Sequence, residues 1–262
     1  MATPPITLAG CDHDPLCHGY RWHITDENAL AEIVARVVVG QYRHAQRVIQ
    51  GAVANPPAVP DTSKQQALLR LAPAAPGKNS YHRDGWIFQI IAWIAAMMSS
   101  PAVACSVPHM QLAHKGFDAV LVPLEADGKA LQGIVICEEK ATENPRSTIY
   151  KEVWPDIEQL EDGRRDSELQ SELSAILERA AIPNVDQLIE AAQWREKKRY
   201  RVSITISRSD DGTIEREALF KGYDNSATGE VIRRRAETLC LPPLRAWMDQ
   251  FCARVSAAVT VQ

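Results

Sequence analysis

The feature that most constrains the fold is a pair of apolar, β-branched runs separated by a turn signal, FDAVLVPLEADGKALQGIVICEEK, over residues 117–140. Each run has the length of a strand, and the pair Asp127 and Gly128 between them is typical of a tight hairpin turn. The segment therefore predicts two neighbouring antiparallel strands.

The second strand of this hairpin ends in three charges instead of a turn. Side chains on a strand alternate between the two faces of a sheet. If residues 134–140 form one strand, Glu138 and Lys140 lie side by side on one face and Glu139 lies on the other. A carboxylate and an ammonium group in this arrangement can hold a divalent cation and polarise a phosphate. The simpler interpretation is a charged strand end that meets solvent.

A metal site of this kind needs a second acid on the same face, and the first strand supplies Asp118. A two-residue turn at residues 127–128 would pair Asp118 with Cys137 and would place Glu138 on the opposite face. A loop with an odd number of residues, or one β-bulge, returns Asp118 to the face of Glu138. The sequence therefore predicts an odd loop or a bulge between the two strands.

The rest of the chain reads mainly as helices, preceded by a loop-like start up to about residue 22. Helical patterns cover residues 25–39, a continuation or second helix over 40–53, and then 62–72, 84–99, 153–163, 166–181 and 184–198. Alternation predicts a strand over 199–208 and a second strand over 214–223, and 230–259 predicts a helix, a proline break and a helix.

This order of elements predicts a mixed α/β (α+β) fold. The length of 262 residues is enough for one large domain, and we interpret residues 1–262 as a single one. Its parts are a mainly helical stretch over 1–80, a core over 81–220 and C-terminal helices over 221–262.

Composition limits the partners and the compartment. The formal net charge is -4, so contact with a nucleic acid has to come from local basic patches or from a partner chain. The six cysteines are scattered and the start of the sequence has no secretory signal, so we expect free thiols in a reducing cytoplasm. The most apolar run, residues 85–98, is too short to span a bilayer comfortably, so we expect no membrane partner.

An acid followed at a hairpin's length by Glu-x-Lys resembles the motif of the PD-(D/E)xK nuclease superfamily. The resemblance implies a restriction-endonuclease-like core, with a mixed sheet flanked by helices. It also implies that Asp118 and Glu138 bind Mg²⁺ or Mn²⁺, since hard cations prefer oxygen ligands. Lys140 would orient the attacking water or offset developing charge, and the backbone carbonyl of Glu139 would add a ligand.

Three segments, YHRDGWIFQIIAWIAA, HKGFDAVLV and ICEEKATENPRSTI, resemble the HamA family, the nuclease subunits of the Hachiman bacterial anti-phage defence system. The resemblance covers roughly residues 81–154. It implies an effector that is held quiet by a superfamily 2 helicase partner (HamB-like) and is released to cut DNA during phage infection.

Many superfamily members carry a Glu on the helix before the hairpin, and the matching helix of this chain offers Gln89. Gln89 is either a replacement for that acid, as a weaker ligand or a water-orienting amide, or a core glutamine bonded to the backbone. This departure leaves the number of metal ions open.

Other candidate residues have a functional and a structural interpretation. His114 either serves a phosphate or a proton, or is an ordinary loop histidine. Cations of the basic segment 195–201 either grip a phosphate backbone or form a solvated helix end. The candidates for DNA or partner contact are Arg146, Lys197, Lys198, Arg199 and Arg201, with Arg195 and the run Arg233–Arg235 beside them. Cys11, His13, Cys17 and His18 have no second pair downstream, so zinc is disfavoured.

The motif and the resemblance together imply one of two functions. The first is a metal-dependent DNA nuclease that acts with a helicase partner in anti-phage defence. The second is a non-catalytic adaptor or inhibitor, in which a nuclease-like fold binds the helicase. The joint presence of Asp118, Glu138 and Lys140 favours the nuclease.

Overall fold

The structure of the chain, a computed structural model, describes residues 4–52, 55–75, 78–99, 104–113, 116–125, 130–192 and 195–262. The strands are β1 (Ile6–Gly10), β2 (His18–Ile24), β3 (Ala104–Cys105), β4 (Ala119–Val122), β5 (Ile134–Lys140), β6 (Lys198–Ile206) and β7 (Arg234–Cys240). They form one seven-stranded mixed sheet in the order β1-β2-β7-β6-β5-β4-β3.

Helices flank this sheet, which agrees with the predicted mixed α/β class. They are α1 (Glu27–Val38), α2 (Tyr42–Ile49), α3 (Asp61–Leu71), α4 (Tyr81–Ser99), α5 (Pro145–Thr148), α6 (Trp154–Glu161), α7 (Asp166–Arg179), α8 (Val185–Ala192), α9 (Thr213–Phe220), α10 (Tyr223–Ser226) and α11 (Leu244–Thr260). A π-helical turn, Ile149–Val153, joins α5 to α6. No helix in the described part of the chain is long and apolar enough to cross a membrane.

The sheet combines an antiparallel and a parallel half. β3, β4 and β5 form an antiparallel meander, which includes the hairpin predicted from the sequence. β5, β6, β7 and β2 run parallel, and β1 pairs antiparallel with β2 at the far edge. Parallel neighbours require long crossovers, and helices α5–α8 and then α9 and α10 provide them.

Each face of the sheet carries its own hydrophobic core. On one face, α1, α4 and α11 pack against Ala119, Leu121, Cys137 and Leu239. On the other, α6, α7 and α8 pack against Val120, Val122, Ile134, Ile136 and Val202. Because side chains alternate along a strand, Glu138 belongs to the face of Ile136, and Glu139 belongs to the face of Cys137.

The predicted loop-like start is wrong, because about half of it lies in β1 and β2. β2 lies beside β7, which comes more than 200 residues later, so no local pattern announces the pairing. Gly19 makes the close approach feasible, because a Cβ at this position would lie 1.9 Å from the carbonyl oxygen of Ala236. The stretch 1–80 is therefore not mainly helical throughout, since two strands of the sheet come from it.

Two predictions in the C-terminal part are also wrong. Most of residues 214–223, predicted as a strand, lie in α9 and α10, because Arg216, Leu219 and Phe220 are buried at helical spacing while Ile214 is 78% exposed. Residues 234–240, predicted as part of a helix, form β7. The charged residues of this segment hide the alternation expected of a strand, because Glu237 is buried and pairs with arginines of the sheet.

Candidate active site

The register of the hairpin brings the two predicted acids to the same end of the sheet. β4 and β5 are antiparallel, with Ala119 opposite Cys137. Continuing this register by one residue puts Asp118 opposite Glu138. This is the parity that a shared site requires.

A β-bulge produces that register. Near the turn, Leu124 pairs with Leu131, one residue out of step with the pairing of Leu121 and Val135. Residues 122–123 therefore face residues 132–134, which is one extra residue on the β5 side. The predicted bulge is confirmed, whereas the turn residues Asp127 and Gly128 lie outside the described residues.

Cations of the basic segment satisfy the backbone of this bulge. Lys197 donates from Nζ to the carbonyl oxygen of Leu131 at 2.8 Å, and Arg199 donates from Nη2 to that of Gln132 at 2.7 Å. A Cβ on Gly133 would lie 2.7 Å from the Arg199 side chain, so glycine leaves room for this contact.

Asp118 is held by two hydrogen bonds at the end of β4. Gln89 of α4 donates from Nε2 to Oδ1 at 2.5 Å, and the backbone N–H of Glu139 donates to Oδ2 at 2.7 Å. The Nε2 of Gln89 therefore bonds to the Asp118 side chain instead of the backbone, and it can orient that carboxylate.

Glu138 and Lys140 lie next to each other at the end of β5. The Nζ of Lys140 is 3.5 Å from Oε2 of Glu138. Glu138 is 5% exposed, whereas the side chain of Lys140 is 24% exposed. Glu138 is therefore the buried member of the pair, and Lys140 is the member that solvent can reach.

The electrostatics of the site disfavour two full negative charges. Burial, reinforced by the charge of Asp118, raises the pKa of Glu138 to about 8, although Lys140 opposes the shift. Burial also raises the pKa of Asp118, against Lys140 and the two hydrogen bonds that it accepts. Burial opposes the charge on Lys140, but Glu138 and Asp118 outweigh it and raise the lysine pKa. A cation between the carboxylates would relieve their repulsion.

The donor set suits a hard divalent ion. Mg²⁺ is usually held by one or two carboxylates and keeps several waters. Asp118 and Glu138 provide two such carboxylates, which when ionised balance the charge of one divalent ion. The part of the chain that the structure describes has no group of three His, Cys, Asp or Glu arranged as a metal cluster. The site thus fits a partly hydrated ion better than a protein cage.

The side chain of Glu139 lies on the other face of the sheet, where the charges of Asp118 and Glu138 still act on it. Its Oε1 is 3.5 Å from Nη1 of Arg201, and neither carboxylate oxygen has a hydrogen-bond partner among the residues that the structure describes. Burial raises the pKa of Glu139 well above its ordinary value, against the charge of Arg201. What Glu139 gives the site is its backbone N–H, the donor to Asp118.

The predicted DNA contacts of the basic segment are largely wrong. Arg201 is fully buried and binds Glu237, and Lys198 is buried and donates to Leu160 O and to Asp166. Arg195 pairs with Glu161 at 2.7 Å. These cations hold β6 to its neighbours, so they do not form a surface for a phosphate backbone.

Most of the other predicted contact residues also bind partners within the chain. Arg146 is exposed, but its Nη1 donates to the carbonyl oxygens of Leu219 and Lys221 at 2.9 Å. Arg233 and Arg234 are buried and engaged with neighbouring acids and carbonyls, and Arg235 binds Glu237. His114 lies outside the described residues.

Sequence reasoning missed the acids on the helix after β5. Asp156 of α6 adds to the raised pKa of Glu138, and both Glu152 and Asp156 favour the charged form of Lys140. Their spacing of four residues, beside the buried Val153 and Ile157, was the available signal.

An arginine near the site was missed too. Arg165 stacks over the ring of Phe117, 4.3 Å from its centroid, and it donates to both oxygens of Glu168. No sequence pattern joins it to the hairpin.

Comparison of the chain with protein-family models, with curated proteins and with solved structures finds no match in any of the three. The functional argument therefore depends on the geometry of the site and on the motif that it contains.

Proposed function

We propose that the chain is a metal-dependent DNA nuclease with a restriction-endonuclease-like PD-(D/E)xK core. The observation that carries the proposal is the bulged hairpin, which sets Asp118 opposite Glu138 with Lys140 beside it. A buried carboxylate, a partly exposed one and a partly exposed ammonium group at one end of the hairpin match the chemistry of phosphodiester hydrolysis.

Asp118 and Glu138 would hold Mg²⁺ or Mn²⁺. When bound, such an ion stabilises charge on a phosphate and makes water a better nucleophile. Gln89 and the N–H of Glu139 fix the orientation of Asp118, so its carboxylate is preorganised. Lys140 is charged and partly exposed, so it can orient a water or offset the charge that develops on the phosphate.

A nicking assay on supercoiled plasmid tests this chemistry. We expect wild-type protein to nick with Mg²⁺ or Mn²⁺ and not with EDTA, and Glu138→Ala with Lys140→Ala to lose about 100-fold or more. Glu190→Ala with Lys78→Ala is the matched control, because both side chains are exposed and lie outside the site. Equal nicking by the site variant and the wild type would remove the assigned chemistry.

The partner is part of the same proposal. The resemblance of residues 81–154 to the Hachiman nuclease subunits supports a cytoplasmic anti-phage effector that works with, and is restrained by, a superfamily 2 helicase. Copurification from the native operon tests it, because an ATP-dependent motor protein should accompany the chain. The nicking assay is then repeated on that complex.

One observation favours the alternative of a non-catalytic adaptor or inhibitor. Both oxygens of Asp118 already accept hydrogen bonds from the chain itself. An adaptor would bind the helicase equally well with Glu138→Ala and Lys140→Ala, and neither the free chain nor the complex would nick DNA.

A further inference from the structure

A cavity of about 590 Å³ opens at the edge of the sheet formed by β3. Helix α2 and the C-terminal end of α7 form its walls. Arg43 and Arg47 of α2 and Arg179 of α7 line it together, and we call it the arginine pocket. Its volume is typical of a ligand site.

The three arginines are exposed and have no partner among the described residues, in contrast to the buried arginines of the sheet. Arg201, Arg233 and Arg234 all bind internal acids or carbonyls. In contrast, none of the three pocket arginines forms a hydrogen bond or an ion pair with any residue that the structure describes. No acidic side chain lines the pocket within the described ranges. Their positive charge is therefore uncompensated on the protein side.

The floor of the pocket contains a buried donor. Trp93 of α4 is 3% exposed, and its indole Nε1 finds no hydrogen-bond partner among the described residues. The ring lies beside the Cys105 thiol of β3, a weak acceptor. Tyr42 and Gln46 add further polar groups to the wall. An anion with acceptor oxygens would satisfy this set of donors.

The arginine pocket adjoins the candidate active site. A second cavity, of only about 10 Å³, is lined by Trp93, Ser106 and Val107 of the arginine pocket and also by Gln89 and Asp118. The wall of the arginine pocket is therefore shared with the small cavity at Asp118, although that cavity is too small to admit the anion itself.

We propose that the arginine pocket binds phosphates of the DNA backbone and holds the strand beside Asp118. This inference rests on the proposed nuclease function, for which it supplies the substrate-binding surface. The net charge of -4 gives the whole protein no attraction for DNA, so a local cluster of free guanidinium groups is needed. One guanidinium group can donate two parallel hydrogen bonds to two oxygens of the same phosphate. A lysine ammonium group cannot bind in this two-point way, so arginine suits a phosphate site better.

Fluorescence anisotropy with a labelled DNA duplex in EDTA tests the proposal without cleavage. The background variant is Glu138→Ala with Lys140→Ala. Adding Arg43→Gln, Arg47→Gln and Arg179→Gln should weaken binding at least about tenfold and lower the salt slope of log K by about 2 to 3, roughly one per lost phosphate contact. Each of the three arginines is also replaced singly. Arg208→Gln is the control for these single variants, because Arg208 is exposed and lies outside the pocket.

Competition distinguishes the sources of phosphate. Inorganic phosphate and a mononucleotide should displace the duplex only at millimolar concentration. Unchanged affinity and salt slope in the triple variant, or no duplex binding by the parent, would overturn the proposal. The triple variant could instead lose a tight binding of the mononucleotide and keep its affinity for the duplex. That result would overturn the assignment to a DNA strand.

The outcome is separable from that of the proposed function. If Glu138→Ala with Lys140→Ala nicks plasmid like the wild type, the assigned chemistry fails while the binding result still holds. Circular dichroism of the triple variant checks that it is folded, and single variants replace it if it is not.

Discussion

Glu138 should make the stability of the fold depend on pH. Burial and the charge of Asp118 raise its pKa from 4.5 to about 8, so the folded state keeps a proton that the unfolded chain releases. The resulting stability is fully present below pH 4.5 and is lost as the pH rises through 8. In urea denaturation without divalent ions, we expect the free energy of unfolding of wild type, relative to Glu138→Gln, to fall between pH 5 and 8 on the order of 2–4 kcal/mol.

The groups that face Glu138 set the size of this effect. Asp118 and Asp156 add to the shift, whereas Lys140 and Arg165 reduce it. Glu190→Gln, at an exposed position of α8, should follow the wild-type curve at every pH. Parallel curves for wild type and Glu138→Gln would mean that Glu138 is not a buried titrating group.

Single residues of the site were predictable where a strand's alternation fixes their direction. Asp118, Glu138 and Lys140 follow from two adjacent strands and one parity argument, and the bulge between them was the element that the argument required. The roles of Arg199 and Arg201 were not predictable, because a cation's partner is set by tertiary contacts. Arg201 meets Glu237 across 36 positions of the sequence.

The element most sensitive to a single methyl group is β2. Gly19 has a φ of +156°, and a Cβ there would lie 1.9 Å from the backbone oxygen of Ala236 in β7. Gly19→Ala should separate the two strands and lower the free energy of unfolding by about 2 kcal/mol or more, measured by urea denaturation.

Gly10→Ala in β1 is the matched control for this prediction. Apart from its two chain neighbours, no described residue has an atom within 4 Å of a Cβ at Gly10. Its effect should stay within about 0.5 kcal/mol. Equal losses in both variants would show that glycine matters in these strands for chain entropy and not for close packing.

Elements were predictable where their stabilising contacts are local. The long apolar run gave α4, and alternation around an Asp-Gly pair gave β4 and β5. The pattern failed for β2 and β7, which pair with each other from opposite ends of the chain. β7 also carries charged residues that belong to a buried ion network, so its sequence does not show the apolar periodicity of an interior strand.

At the scale of the whole molecule, one sheet is built from all three sequence parts. Residues 1–80 provide β1 and β2, residues 81–220 provide β3 to β6, and residues 221–262 provide β7. β7 lies between β2 and β6. The division into consecutive parts therefore describes the sequence better than the architecture, because the last strand joins the first strands to the core.

A buried ion network joins β5, β6 and β7, and Arg201, its centre, also lies over Trp22 of β2. Arg201 is fully buried, donates to Glu237 at 2.7 Å and lies over the ring of Trp22. Burial would raise the pKa of Glu237, but Arg201 and Arg235 outweigh burial and lower it. Arg201→Met should therefore lower the free energy of unfolding by about 3–5 kcal/mol, because it leaves a buried carboxylate short of its partner.

A double variant separates the charge effect from lost packing. Arg201→Met with Glu237→Leu removes both charges, so denaturation should show that it regains part of the stability that Arg201→Met loses. Arg164→Met, whose pair with Asp162 is exposed, should change stability by less than about 0.5 kcal/mol. If the double variant is as unstable as the single one, then Arg201 supports the sheet through its packing on Trp22, and the ion pair does not hold β6 to β7.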